Sequence, residues 1–154
     1  MVEIDGIRVG LTICYDVRFP ELFRALAAAG AEVLLVPAAF TQTTGEAHWH
    51  TLLRARAIEN HAFVVAPATV HSPTTDYTDA FATYGHALVV GPWGDILADL
   101  GESAEGVQVV ELDLGEVERA RTKLPVLSGR RDPRVYAGEP DVIRIPIEQK
   151  EPAR

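Results

Sequence analysis

The chain holds a single cysteine, Cys14, and its surroundings make it the first residue to consider for chemistry. It follows an apolar, β-branched run, Ile7 to Ile13, and precedes Pro20, where a first helical turn tolerates a missing N–H. A thiol between a buried strand and a helix lies at the strand's carboxyl end, where α/β sheets place their ligands. Backbone N–H groups at such a junction stabilise negative charge, whether on a thiolate or on an oxyanion. The same position also suits a cysteine packed as a small hydrophobe. Five histidines, His48, His50, His61, His71 and His86, are possible bases or ligands. His48 and His50 point to different sides of a helix and so cannot share a metal on one face. With no second cysteine, no zinc spacing exists, and the sequence predicts neither metal nor cofactor. A Cys-His pair stays open, although nothing around Cys14 resembles a papain or caspase signature. Arg130, Arg131 and Arg134 form a basic cluster that could grip a carboxylate, or lie solvated or at an interface.

The elements that must position these groups follow from apolar periodicity. Glu3 to Asp5 can pair with the strand starting at Ile7 across Asp5-Gly6, a dipeptide suited to tight turns. Leu22, Phe23, Leu26 and Ala27 recur at helical spacing between Pro20 and Gly30, a residue that can end a helix in left-handed geometry. Glu32 to Val36 reads as a second buried strand. Thr43-Thr44-Gly45-Glu46 reads as a capping box for a helix to Asn60. On that helix Trp49, Leu53, Arg56 and Asn60 fall on one side, so Arg56 needs a buried partner, and Glu59 is the local candidate. Phe63 to Val70 is a third strand and His71 to Phe81 a polar loop. Gly85 to Val90 and Asp95 to Leu100 form a hairpin around Gly91-Pro92-Trp93-Gly94. Val107 to Leu112 reads as a further strand, and Leu114 to Leu124 as a charged helix. The pattern is α/β layers on a mixed sheet, in one unit over 1–136 with a tail over 137–154.

The bulk properties exclude several classes. At 154 residues the chain suits one domain, and 47% hydrophobic with 23% charged residues is a globular composition. A net charge of −8 argues against a nucleic-acid partner, which needs clustered Lys and Arg. The longest apolar stretch, Leu26 to Phe40, contains Gly30, Glu32 and Pro37 and is too short to span a membrane. Met1 to Asp5 carries two acids and no basic region before an apolar run, unlike a signal peptide. One cysteine cannot close an intrachain disulfide, which fits a cytoplasmic setting.

The run Ile13-Cys14-Tyr15-Asp16-Val17-Arg18-Phe19-Pro20-Glu21-Leu22 closely resembles the nucleophile motif of the nitrilase superfamily, the carbon–nitrogen hydrolases. Further segments match in order: Pro37-Ala38-Ala39-Phe40-Thr41, Thr44-Gly45-Glu46-Ala47-His48-Trp49, Leu53-Arg54-Ala55-Arg56-Ala57-Ile58-Glu59-Asn60, Tyr84-Gly85-His86 and Pro92-Trp93-Gly94. The resemblance implies part of an α-β-β-α sandwich, usually assembled into dimers or larger homo-oligomers. It implies hydrolysis of a small-molecule amide through a cysteine thioester, with Cys14 as nucleophile and the Tyr15 N–H on the oxyanion. The segments are most similar to Nit-type amidases, which act on small ω-amides of dicarboxylic acids or on deaminated glutathione.

The family's catalytic glutamate and lysine both precede the cysteine by long distances. Only thirteen residues precede Cys14 here, Lys123 and Lys150 are the only lysines, and Glu3 does not match the family's base. Ala87 also stands where relatives of this branch commonly carry serine. The expectation is therefore the carboxyl-terminal half of a sandwich, incomplete for catalysis, which needs a complementing amino-terminal segment. A binding or assembly module of the same fold is the alternative, and a thiol enzyme with a rewired base, Asp16, Glu46 or a histidine, is a third reading.

Overall fold

The computed structural model describes residues 1–70, 82–102, 105–135 and 137, and among them six strands form one mixed sheet in sequential order. β1 (Val2–Ile4) runs antiparallel to β2 (Ile7–Leu11), which is parallel to β3 (Val33–Leu35), itself parallel to β4 (Phe63–Ala66). β5 (Leu88–Val90) and β6 (Ile96–Asp99) complete the sheet as an antiparallel hairpin beside β4. The first turn forms because Asp5 and Gly6 both take positive φ, 48° and 84°, which two-residue hairpins require.

Two parallel crossovers supply the helical layer. α1 (Pro20–Ala28) joins β2 to β3, and α2 (Gln42–Asn60) joins β3 to β4. Consecutive parallel strands linked by right-handed crossovers put both helices on one face of the sheet. There Val17, Phe23, Leu34, Val36, Trp49, Leu53, Val64, Leu88 and Val90 close into the main core. The α2 stripe behaves as its spacing predicts: Trp49, Leu53, Arg56 and Asn60 are all buried. Arg56 finds its partners in the Val17 carbonyl (2.9 Å) and Glu59 (2.9 Å), with its guanidinium 5.5 Å from the Phe23 ring.

The opposite face is covered at one end only. α3 (Gly115–Lys123) brings Val117 onto Val33 and Phe63, with Leu112 and Leu114 alongside. Farther along the same face Leu11 is 46% exposed, and Leu35 and Val65 are half-buried.

Two local expectations are corrected. The cap of α2 is Thr41, in extended geometry, rather than Thr43, and the Glu46 carboxylate accepts from the Gln42 side chain instead of reaching back to the backbone. Thr41 bridges Thr83 across the sheet end, so the chain leaves extended structure there and turns at once into the helix. Val107 to Leu112 forms no strand; Val107 and Val109 are almost fully exposed, and Leu112 alone of its apolar residues packs into a core. The polar loop His71 to Phe81 lies outside the described residues, as does the tail over 137–154 apart from Ala137.

Candidate active site

Three parallel strands end on the same side, and their carboxyl ends build the site. The chain leaves β2 through Thr12, whose N–H and hydroxyl both bond the Leu35 carbonyl, at 3.0 and 2.9 Å. Ile13 N–H donates to the Asp16 carboxylate at 2.9 Å, and the Cys14 N–H donates to the Pro37 carbonyl at 2.8 Å. These bonds hold Cys14 at φ 44°, a left-handed conformation that costs a non-glycine residue of order 1–3 kcal/mol. Cys14 then opens a short 3-10 turn, Cys14–Arg18, ahead of α1. After the Cys14 N–H, the next bonded N–H of that turn is that of Asp16, to the Ile13 carbonyl. The Tyr15 N–H precedes it and is one of the orphan donors every helical start leaves.

The thiol faces an open depression of about 500 Å³ lined by Ile13, Cys14, Pro37, Ala38, Ala39, Pro67, Ala68 and Thr69. Its walls come from the ends of β2, β3 and β4, tied by a parallel bridge between Ala38 and Ala68. Small side chains leave room for a ligand at the sulfur. This is the crevice outside the carboxyl strand ends where α/β sheets bind ligands.

The candidate bases among the described residues are engaged elsewhere. Asp16 caps the turn, Glu46 bonds Gln42, and Glu3 pairs with Arg8 at the surface. His48 Nδ1 accepts from Arg18 Nη1 at 3.2 Å, and His61 is buried with Nδ1 3.3 Å from the Pro92 carbonyl. His71 lies outside the described residues. No side chain hydrogen-bonds the Cys14 thiol among the described residues. In the basic cluster, Arg134 turns back on Asp132.

A second constellation gave no signal in the sequence. His50 Nε2 and His86 Nδ1 both contact the Asp99 carboxylate, at 3.0 and 2.8 Å. Burial by itself pushes the Asp99 carboxyl up, but hydrogen bonds from His50, the Gly101 N–H and His86 outweigh it and hold the group below the ordinary carboxylate range. His86 is stacked on Tyr84 with ring centroids 4.4 Å apart, and its carbonyl accepts from Trp49 Nε1 at 2.9 Å. Burial, then the nearby Glu102, Asp99 and Glu46 carboxylates, pushes the Tyr84 hydroxyl up, so it stays a neutral phenol. The hairpin register was the missed clue: Leu88 pairs with Asp99, so His86 comes opposite Gly101, whose carbonyl accepts the His86 N–H at 2.7 Å.

The sheet order, the crevice and the cysteine turn define a class, and comparison with known proteins agrees. Residues 1–122 match the carbon-nitrogen hydrolase family, and the chain belongs to that family. Over 122 residues it is 49% identical to a deaminated glutathione amidase of Synechocystis, covering 79% of this chain and 43% of that protein. Among solved structures, Nit3 of Saccharomyces cerevisiae, a member of branch 10 of the nitrilase superfamily, superposes with a TM-score of 0.70 at 38% identity, over 80% of this chain and 44% of that one. A mutant amidase from Nesterenkonia sp. AN1 superposes with a TM-score of 0.69 at 31% identity, over 88% and 45%. That structure shows covalent addition of the acetamide moiety of fluoroacetamide at the amidase's active-site cysteine. The chain therefore spans less than half the length of these relatives, and its fold is a mixed α/β portion of the nitrilase type.

Proposed function

We propose that this chain carries the nucleophile portion of an amide hydrolase acting on a small primary ω-amide of a dicarboxylic acid, or on deaminated glutathione, from which an amine leaves in place of ammonia. The Cys14 thiolate attacks the amide carbon and forms the C–S bond, and the tetrahedral oxyanion takes a hydrogen bond from the Tyr15 N–H. Collapse breaks the C–N bond and, once the nitrogen is protonated, releases ammonia from a primary amide or the amine from a substituted one. Water then cleaves the thioester, giving the acid and the free thiol. The observation that carries this reading is Cys14 itself, held at φ 44° over the crevice by its bond to Pro37.

The proton steps need a general base, typically worth ~10²–10⁴-fold, and a further oxyanion donor is typically worth ~10²–10³-fold. Among the described residues Asp16, Glu46 and His48 are committed elsewhere, and we assign these groups to a complementing Glu- and Lys-bearing segment seated against the half-open sheet face at Leu11, Leu35 and Val65. The test is ammonia release from such an ω-amide by the purified chain, with and without a polypeptide supplying that segment. Release only with the segment, abolished by Cys14→Ala, is expected. Equal release by the chain alone would refute the need for a second segment, and release surviving Cys14→Ala would refute the nucleophile.

A further inference from the structure

We propose that His50, His86 and Asp99 form a binding site for a zinc ion, separate from the cysteine crevice. The three residues come from α2, from the lead-in to β5 and from the end of β6, and one donor atom of each lies within 4.8 Å of the others. Two imidazoles and one carboxylate are a donor set that suits zinc, leaving a fourth position for water. Donor atoms around tetrahedral zinc lie about 3.4 Å apart, so side-chain shifts of about an ångström close the group round the ion.

The surroundings hold these ligands in place. His86 sits at φ 54° beside Gly85 at φ 72°, its ring flanked by Tyr84 and by His50 with centroids 4.4 and 4.8 Å away. Asp99 is further fixed by the Gly101 N–H at 2.9 Å. The most telling atom is His86 Nε2, which is buried and has no hydrogen-bond partner. The Asp99 carboxylate accepts, so Nδ1–H donates to it, and Nε2 is left without a hydrogen-bond partner. Zinc on Nδ1 moves the proton to Nε2, where the Glu102 carboxylate stands 3.7 Å away. The orphan then becomes the donor of a carboxylate–histidine–metal arrangement of the kind that orients zinc ligands.

Competition between the purified chain and a chromophoric zinc chelator tests the site, with Zn²⁺ alone as probe. One Zn²⁺ per chain is expected, with equal affinity in Cys14→Ala and in His48→Gln. His50→Gln and Asp99→Asn each weaken it by more than about 100-fold, beyond the 10–100-fold that loss of an outer partner costs, and Glu102→Gln by about 10-fold. Thermal unfolding gives a second readout, since zinc raises the midpoint of the wild-type chain and leaves that of His50→Gln in place. Absence of stoichiometric binding to a folded wild-type chain overturns the proposal. So does a loss in Cys14→Ala equal to that in His50→Gln, which would move the ion to the thiol.

Discussion

Cys14 is set apart less by its thiol than by its backbone. Its left-handed φ persists because neighbouring bonds over-determine it: Ile13 to Asp16, Cys14 to Pro37 and Thr12 to Leu35. Asp16 matters here as the clamp that fixes where Cys14 points. Asp16→Ala is expected to cost about 0.5–2 kcal/mol, the range for losing a cap, in urea unfolding. An unchanged midpoint would show that Pro37 alone holds the turn. Gly45 makes a second residue-scale case. A Cβ there would collide with the Tyr84 ring, on which His86 stacks. Gly45→Ala therefore destabilises by about 1–3 kcal/mol, as overpacking does, despite the better helix propensity of alanine. Unfolding free energies of the two chains check it, and any stabilisation would mean that Tyr84 moves freely.

At the scale of elements, the sequence made the fold legible wherever a local rule and the tertiary context agree. Asp5-Gly6, the α1 stripe and the Gly91–Gly94 turn all stand as read, because turn chemistry and apolar spacing are local properties. Thr43 failed as a cap because the sheet bridge at Thr41, a long-range contact, decides where the helix begins. Val107 to Leu112 failed because β-propensity counts for little without packing, and Val107 and Val109 stand almost fully exposed. The place of Cys14 between strand and helix suits a packed cysteine as well as a reactive one, and it is the likeness of its whole motif to a family that sets it apart. The His50, His86 and Asp99 group could not be singled out, since it rests on the register of a hairpin packed against a helix. Arg56 shows an element held by one side chain: it ties α2 to the Val17 carbonyl in the turn that carries Cys14. Arg56→Ala breaks a buried pair and is expected to cost about 3–5 kcal/mol. Glu59→Gln costs less, because Glu59 is 31% exposed and the Val17 bond survives. Chemical denaturation of both variants gives the order, and the reverse order would contradict the arrangement.

For the whole molecule, the two sheet faces are unequal. One is sealed by α1 and α2, while the other leaves Leu11, Leu35 and Val65 only partly covered beyond α3. Contiguous apolar surface of this kind marks interaction sites. The isolated chain is expected to self-associate at micromolar concentration and to bind a hydrophobic dye, with both effects reduced by Leu11→Lys. Sedimentation velocity reads the first, and a strictly monomeric, dye-free wild-type chain would contradict it.

The central claim is that Cys14 becomes acylated by an amide substrate. It is tested most directly by intact mass spectrometry of the chain, quenched in acid while turning over an ω-amide together with the Glu- and Lys-bearing segment. The expected result is a mass increase equal to the substrate minus ammonia, mapped to the peptide carrying Cys14 and absent from Cys14→Ala. Ammonia release with no acyl adduct on that peptide, or an adduct on another residue, would contradict the account.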